Sequence, residues 1–104
     1  MIRIIVNVDG PNVSSVIIKG HANAASKGED LVCAGVSSIG IGTLNALDLL
    51  VSKDTQEEVS EGYISIEVIK SNPTIQTILQ TMIIQLETIQ HAHSKYIKIT
   101  KQEV

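Results

Sequence analysis

The chain contains no phenylalanine and no tryptophan, and its aromatic residues of the Phe, Trp and Tyr type are limited to Tyr63 and Tyr96. Its core must therefore be built from Ile, Val and Leu, which favour strands and closely packed helices. With 104 residues, of which 43% are hydrophobic, the chain is long enough to bury one such core. We expect one domain that spans residues 1–104.

Basic residues are few and scattered along the sequence. Eight Lys and Arg residues stand against eleven Asp and Glu residues, which gives a net charge of −3. Because no run of Lys or Arg could neutralise successive phosphates, we expect no direct binding of nucleic acid and no attraction to anionic membranes. No uninterrupted apolar run reaches the roughly 18 residues of a membrane-spanning helix, and the first residues lack a signal-peptide cleavage site. These absences predict a cytoplasmic protein.

Two β-hairpins and two helices are predicted from the pattern of apolar residues. Residues 2–8 and 13–19 are rich in β-branched residues on either side of a turn at 9–12, and residues 59–70 contain a second hairpin around Glu61 and Gly62. Residues 52–58 are predicted to be a polar linker, and the alternating segment 95–100 a closing strand. The order ββα-ββα-β predicts an α/β (α+β) fold in which two helices pack on a mixed sheet.

The second helix has the clearest start. Asn72 is a favoured N-cap, and Pro73 follows at the first helical position. Apolar residues then recur at three- and four-residue steps, as an amphipathic helix requires: Ile75, Ile78, Leu79, Met82, Ile83, Leu86 and Ile89.

The first helix is predicted to begin at Asp30 or Leu31, because Asp is a favoured N-cap. Three glycines in its first half, Gly35, Gly40 and Gly42, each cost up to about 1 kcal/mol relative to Ala. They suggest close packing against the sheet or a neighbouring subunit.

The only cysteine, Cys33, would then occupy the third helical position, where free N–H groups and the helix dipole favour a thiolate. A single Cys forms no internal disulfide, so the thiol is free. His21, at the end of a predicted strand, could take the thiol proton and return one to a leaving amine. The first-turn N–H groups could stabilise a developing oxyanion. Such a site needs no cofactor.

Supporting roles are predicted for three nearby positions. Asp30 could cap the helix and also orient His21, Gly20 would fix the strand end before His21, and the hydroxyl of Ser37, one turn after Cys33, could contact the site or a substrate backbone. The small polar segment between His21 and Asp30 is predicted to be an exposed loop that holds substrate against the site. Its residues are Ala22, Asn23, Ala24, Ala25, Ser26, Lys27, Gly28 and Glu29.

Structural interpretations of these residues remain open at this point. A Cys near a helix start is often a small buried apolar residue, and Asp30 by default is only a cap. His91 and His93 form an H-x-H pair without a nearby third ligand, which favours a solvated helix end over a metal site.

Two motifs in this region together resemble the signature of the bacterial ribosomal-processing cysteine proteases, the Prp or YsxB-like family. The motifs are Gly20-His21-Ala22 and Gly28-x-Asp30-Leu31-Val32-Cys33-Ala34-Gly35-Val36-Ser37. The resemblance extends through most of the chain, and the His-before-Cys order differs from that of papain-like proteases. Leu31 stands where the family more often has Ile.

The resemblance implies an α/β homodimer that removes a short N-terminal extension from a large-subunit ribosomal protein. It implies that Cys33 is the nucleophile and His21 the general base, with Gly20, Asp30 and Ser37 in supporting positions. An alternative hypothesis is a non-catalytic module for ribosome binding or assembly, in which Cys33 is merely packed. A thiol redox sensor is weaker, because the chain has no resolving cysteine.

Overall fold

The structure, a computed structural model, describes residues 1–20, 27–51 and 53–104, and of residues 27–30 only the backbone. The elements follow the predicted order ββα-ββα-β. They are β1 (Ile2–Asp9), β2 (Asn12–Lys19), α1 (Lys27–Val51), β3 (Thr55–Ser60), β4 (Tyr63–Val68), α2 (Pro73–Ala92) and β5 (Ile97–Glu103).

The five strands form one mixed sheet in the order β3-β4-β2-β1-β5. β1 and β5 are parallel, and the other neighbouring pairs are antiparallel. Alternate residues of the central strands are buried, as with Ile2, Ile4 and Val6 of β1. These side chains share one core with both helices, so α1 and α2 cover the same face. The predicted fold class is confirmed.

Both predicted hairpins are present, but β3 is longer than expected. It begins at Thr55, so residues 55–58, predicted to be linker, pair with β4 instead. Polar residues such as Gln56 and Glu58 have weak strand preference, and pairing with β4 overrides it at this edge of the sheet. Gly10 and Gly62 adopt positive φ angles of 59° and 66° in the two turns.

The start of α2 agrees with its predicted cap. The side chain of Asn72 accepts a hydrogen bond of 2.9 Å from the backbone N–H of Ile75, and Pro73 is the first helical residue. The five most buried side chains of α2 all belong to the predicted apolar stripe: Ile75, Leu79, Met82, Ile83 and Leu86.

The start of α1 does not agree with the prediction. The helix begins at Lys27, so Asp30 is its fourth residue rather than its cap. Lys and Glu are good helix formers, and acidic residues such as Glu29 and Asp30 are favoured throughout the first turn as well as at the cap. A sequence that contains several favourable positions in succession does not specify which one comes first.

Close packing against the sheet is confirmed at Gly40, whereas Gly35 packs against α2 and a Cβ atom on Gly42 would have nothing within 4 Å. A Cβ atom on Gly40 would lie 2.7 Å from Cδ1 of Ile64 in β4, and one on Gly35 would lie 3.2 Å from Cδ1 of Ile89 in α2. α1 therefore approaches the sheet at Gly40 and the second helix at Gly35.

By length and composition, residues Leu31–Val51 of α1 could also cross a membrane. This segment meets that criterion without an uninterrupted apolar run, because weakly polar Gly, Ser and Thr residues separate its apolar ones. Core helices meet the same criterion, and α1 contributes Val32, Val36 and Leu47 to the core beneath it.

Candidate active site

Cys33 borders a cavity between α1 and one end of the sheet. The thiol is free and half-buried, and the cavity has a volume of about 160 Å³. α1 contributes Cys33, Val36, Ser37 and Ile41 to its wall. Val36 and Ser37 come three and four residues after Cys33, and Ile41 comes four residues after Ser37. Residues at this spacing share one side of a helix, so one side of α1 faces the cavity.

Gly20, the residue before His21, lines the same cavity. Its φ angle is 99°, and a Cβ atom there would lie 2.5 Å from the backbone oxygen of Met1. Its N–H donates a 3.0 Å hydrogen bond to the carbonyl of Gly62 in the β3–β4 turn. Only glycine fits this position, which ties the end of β2 to the site.

The β3–β4 hairpin forms the opposite wall, and sequence reasoning missed it. Val59, Ser60, Gly62 and Tyr63 all border the cavity. They reach it because β4 pairs with β2, which sets Tyr63 beside Lys19 and the turn beside Gly20. Since that pairing joins residues more than forty positions apart, no local sequence signal could have identified them.

Several of the predicted site residues lie wholly or partly outside the described residues. His21 and residues 22–26 of the predicted loop are not described, and of Asp30 only the backbone is. The remaining loop residues, Lys27, Gly28 and Glu29, form the first turn of α1, so the prediction that they belong to a loop is wrong. Ser37 is exposed on α1, one turn after Cys33, and borders the cavity.

The helix start also changes the electrostatic environment expected for Cys33. Cys33 is the seventh residue of α1 rather than the third. The four unpaired N–H groups of a helix belong to its first turn, and the dipole effect declines beyond it. The predicted contribution of first-turn amides to thiolate formation and to an oxyanion site is therefore wrong in its geometry.

An acidic pair lies away from the cavity, where α1 faces β3. Burial raises the pKa of the Glu57 carboxyl above its ordinary value, and the nearby charge of Asp48 raises it further. Oε2 of Glu57 is buried and has no hydrogen-bond partner among the described residues. Neither Asp48 nor Glu57 lines the Cys33 cavity.

His91 and His93 lie at the end of α2. His91 is in the last turn, and the backbone N–H of His93 donates to the carbonyl of Ile89 at 2.9 Å. Among the residues that the structure describes, no group of three or more His, Cys, Asp or Glu side chains is placed to hold a metal ion.

The described residues thus place one free thiol at a cavity between α1 and the sheet. The family model for "Cysteine protease Prp" matches residues 1–98. The chain is 36% identical over 101 residues to the ribosomal processing cysteine protease Prp of Staphylococcus aureus, and the match covers 94% of each chain.

Solved structures agree with this match. The fold is similar to that of the S. aureus protease Prp in complex with a covalently linked product peptide, with a TM-score of 0.88, 33% identity and coverage of 98% of this chain and 100% of that one. The same protease with a substrate peptide gives a TM-score of 0.90 at 31% identity and the same coverage. The chain belongs to the Prp family of cysteine proteases. It is an enzyme, which decides against the alternative of a non-catalytic module.

Proposed function

We propose that this protease removes a short N-terminal extension from a large-subunit ribosomal protein, with Cys33 as nucleophile and His21 as general base. The observation that carries the proposal is the shared cavity of Cys33 and Gly20, since Gly20 directly precedes His21 in the chain. The covalently linked product peptide of the S. aureus relative supports a covalent intermediate.

In this mechanism the sulfur of Cys33 attacks the carbonyl carbon of the scissile bond while His21 accepts the thiol proton. The C–N bond breaks, and His21 gives the proton to the leaving amine, which is the new N-terminus of the mature protein. The extension stays on Cys33 as a thioester. Water, deprotonated by His21, then attacks the thioester carbonyl, the C–S bond breaks and the extension leaves as a carboxylic acid that ionises in solution. His21 returns its proton to the Cys33 thiolate, which restores the enzyme.

Ser37 is proposed to bind the substrate rather than react with it. Its hydroxyl is exposed, borders the cavity and lies one helical turn from Cys33. A hydroxyl in this position could donate a hydrogen bond to the carbonyl under attack. The backbone N–H of Cys33 lies beyond the first turn of α1, where N–H groups are bonded within the helix. A side chain such as that of Ser37 would therefore have to donate this hydrogen bond instead. Asp30 is proposed to orient His21, and residues 22–29 to contact the substrate on its way to Cys33.

We further propose that the protein is a cytoplasmic homodimer. Leu49 and Leu50 near the end of α1 are 84% and 66% exposed, and a second copy would cover this apolar surface. Light scattering over a range of concentrations tests this state, and a monomer at every concentration would contradict it.

The experiment for the function combines the purified protein with the extended precursor of the ribosomal protein and reads the product masses. Wild-type protein should yield two fragments that correspond to one cut, and Cys33→Ala should yield none. Thermal unfolding of Cys33→Ala should remain cooperative, which separates loss of chemistry from loss of fold. Cleavage by clean Cys33→Ala protein would refute the nucleophile.

A matched pair of neighbouring serines tests the role of Ser37. Ser37 borders the cavity, whereas Ser38 faces the groove between α1 and α2. Ser37→Ala should lower kcat by about tenfold to a thousandfold, the range for loss of one donor to a developing oxyanion. Ser38→Ala should leave kcat unchanged. Equal effects of the two substitutions would remove Ser37 from the site.

A further inference from the structure

Three basic residues lie side by side on the face of the sheet that the helices leave open. Arg3 of β1 pairs with Lys98 of β5 on one side and with Lys19 of β2 on the other. All three are exposed, and each directly follows a buried residue of the core: Ile2 precedes Arg3, Ile18 precedes Lys19 and Ile97 precedes Lys98. Because strands lie about 4.8 Å apart, the three positions span about 10 Å.

The row continues with an aromatic residue. Lys19 pairs with Tyr63 of β4, which borders the Cys33 cavity and is half-buried. We call Lys98, Arg3, Lys19 and Tyr63 the cationic row. It runs across four strands, from the β5 edge of the sheet to the rim of the cavity.

The positive charge of this row is not neutralised within the part of the chain that the structure describes. No ion pair or hydrogen bond involves the side chains of Arg3, Lys19 or Lys98 there, whereas Lys101 on the opposite face of β5 pairs with Glu87 at 3.2 Å. Like charges directly opposite each other on neighbouring strands destabilise a sheet. An arrangement that costs stability in an otherwise acidic protein points to an anionic partner.

We propose that the cationic row binds single-stranded RNA. Surfaces for single-stranded nucleic acid combine cations that follow the phosphate backbone with an aromatic ring on which a base stacks, and the row supplies both in one line. An acidic peptide would match the charges but would leave Tyr63 without a planar partner. The expectation of no nucleic-acid binding rests on the lack of a run of Lys or Arg in the sequence. Residues 3, 19 and 98 are far apart along the chain, and only strand pairing brings them together.

The size of the effect follows from the number of cations. Three neutralised phosphates on a single strand give a slope of about −2 for the logarithm of the association constant against the logarithm of the salt concentration. Binding through so few contacts is expected to be weak, with a Kd on the order of 10⁻⁴ to 10⁻⁶ M at physiological salt.

The test uses a fluorescent oligouridylate of about ten nucleotides, a length within the usual range for one binding surface, and the full chain. Fluorescence anisotropy at several salt concentrations should give the expected slope for wild type. Lys98→Gln, Arg3→Gln and Lys19→Gln should each make the slope shallower by about 0.7. Lys70→Gln removes the same charge from an exposed lysine outside the row and should have no effect. Tyr63→Leu should weaken binding without changing the slope.

Several outcomes would overturn the proposal: no binding by wild type, equal effects of Lys70→Gln and the row variants, or stronger binding of a polyglutamate peptide than of the RNA. Cleavage of a short precursor peptide by Arg3→Gln and Lys98→Gln should equal that of wild type, which confirms that these variants fold. RNA binding should persist in Cys33→Ala, so the result is independent of the proposed peptidase function.

Discussion

Replacement of Gly20 by alanine tests how the end of β2 holds the active site. The φ angle of 99° lies outside the regions that an L-residue adopts readily, which costs about 1–3 kcal/mol. The new Cβ would also lie 2.5 Å from the backbone oxygen of Met1, so the backbone would have to move. We expect Gly20→Ala to lower the free energy of unfolding by about 3 kcal/mol or more. For a domain of this size that loss corresponds to a fall in Tm of at least about 12 °C.

Gly10 provides the matched control. It also has a positive φ angle, 59°, but a Cβ there would have nothing within 4 Å. Gly10→Ala should therefore cost only about 1 kcal/mol, the penalty of the left-handed conformation. Urea denaturation of both variants measures the difference, and peptidase activity at a temperature where Gly20→Ala is folded reports on the site. Equal losses of stability would refute the contact with Met1 as the reason that position 20 requires glycine.

Three further substitutions test the scaffold around the site. Asn72→Ala removes the α2 cap and should cost about 1 kcal/mol of unfolding free energy in urea, whereas Asn72→Asp should restore most of it. The Gln76 amide bonds both the N–H and the carbonyl of Val13, at 2.8 and 2.9 Å, so Gln76→Ala should cost about 2 kcal/mol; a loss below that of Asn72→Ala would contradict this. Glu57→Gln should stabilise the protein at neutral pH but not below the ordinary carboxyl pKa of about 4.3. Burial and the charge of Asp48 raise the pKa of Glu57, so the folded protein keeps a proton on this carboxyl that the unfolded chain has already lost. The free energy of unfolding of the wild type therefore falls as the pH rises from about 4.3 through the raised pKa. If Glu57→Gln had the same effect on stability at every pH, the raised pKa would not be its cause.

The parts of the fold that depend on local chemistry could be predicted from the sequence. The Asn72-Pro73 cap and the turn glycines each act within a few residues, and the structure shows them where the sequence indicates. The start of α1 could not be fixed in the same way, because residues 27–30 are all acceptable in a first turn. That error matters, since Cys33 is the seventh residue of α1 rather than the third and so lies outside the turn in which amides are unpaired.

The rest of the site depends on pairing between distant strands, which the sequence does not specify. The β3–β4 hairpin becomes the far wall of the Cys33 cavity only because β4 lies beside β2 rather than at an edge. The same pairing aligns Lys19 with Tyr63, and β1 between β2 and β5 aligns Arg3 with Lys98. Motif resemblance identified Cys33, but it did not indicate the surfaces on either side of it.

The proposed thioester on Cys33 can be tested directly by intact mass spectrometry of the enzyme during cleavage of the precursor. A rapidly acid-quenched reaction should show protein heavier by the mass of the extension minus one water, and peptide mapping should place that adduct on Cys33. Hydroxylamine should remove it, and Cys33→Ala should never form it. An adduct on another residue, or cleavage that continues in Cys33→Ala, would contradict Cys33 as the nucleophile.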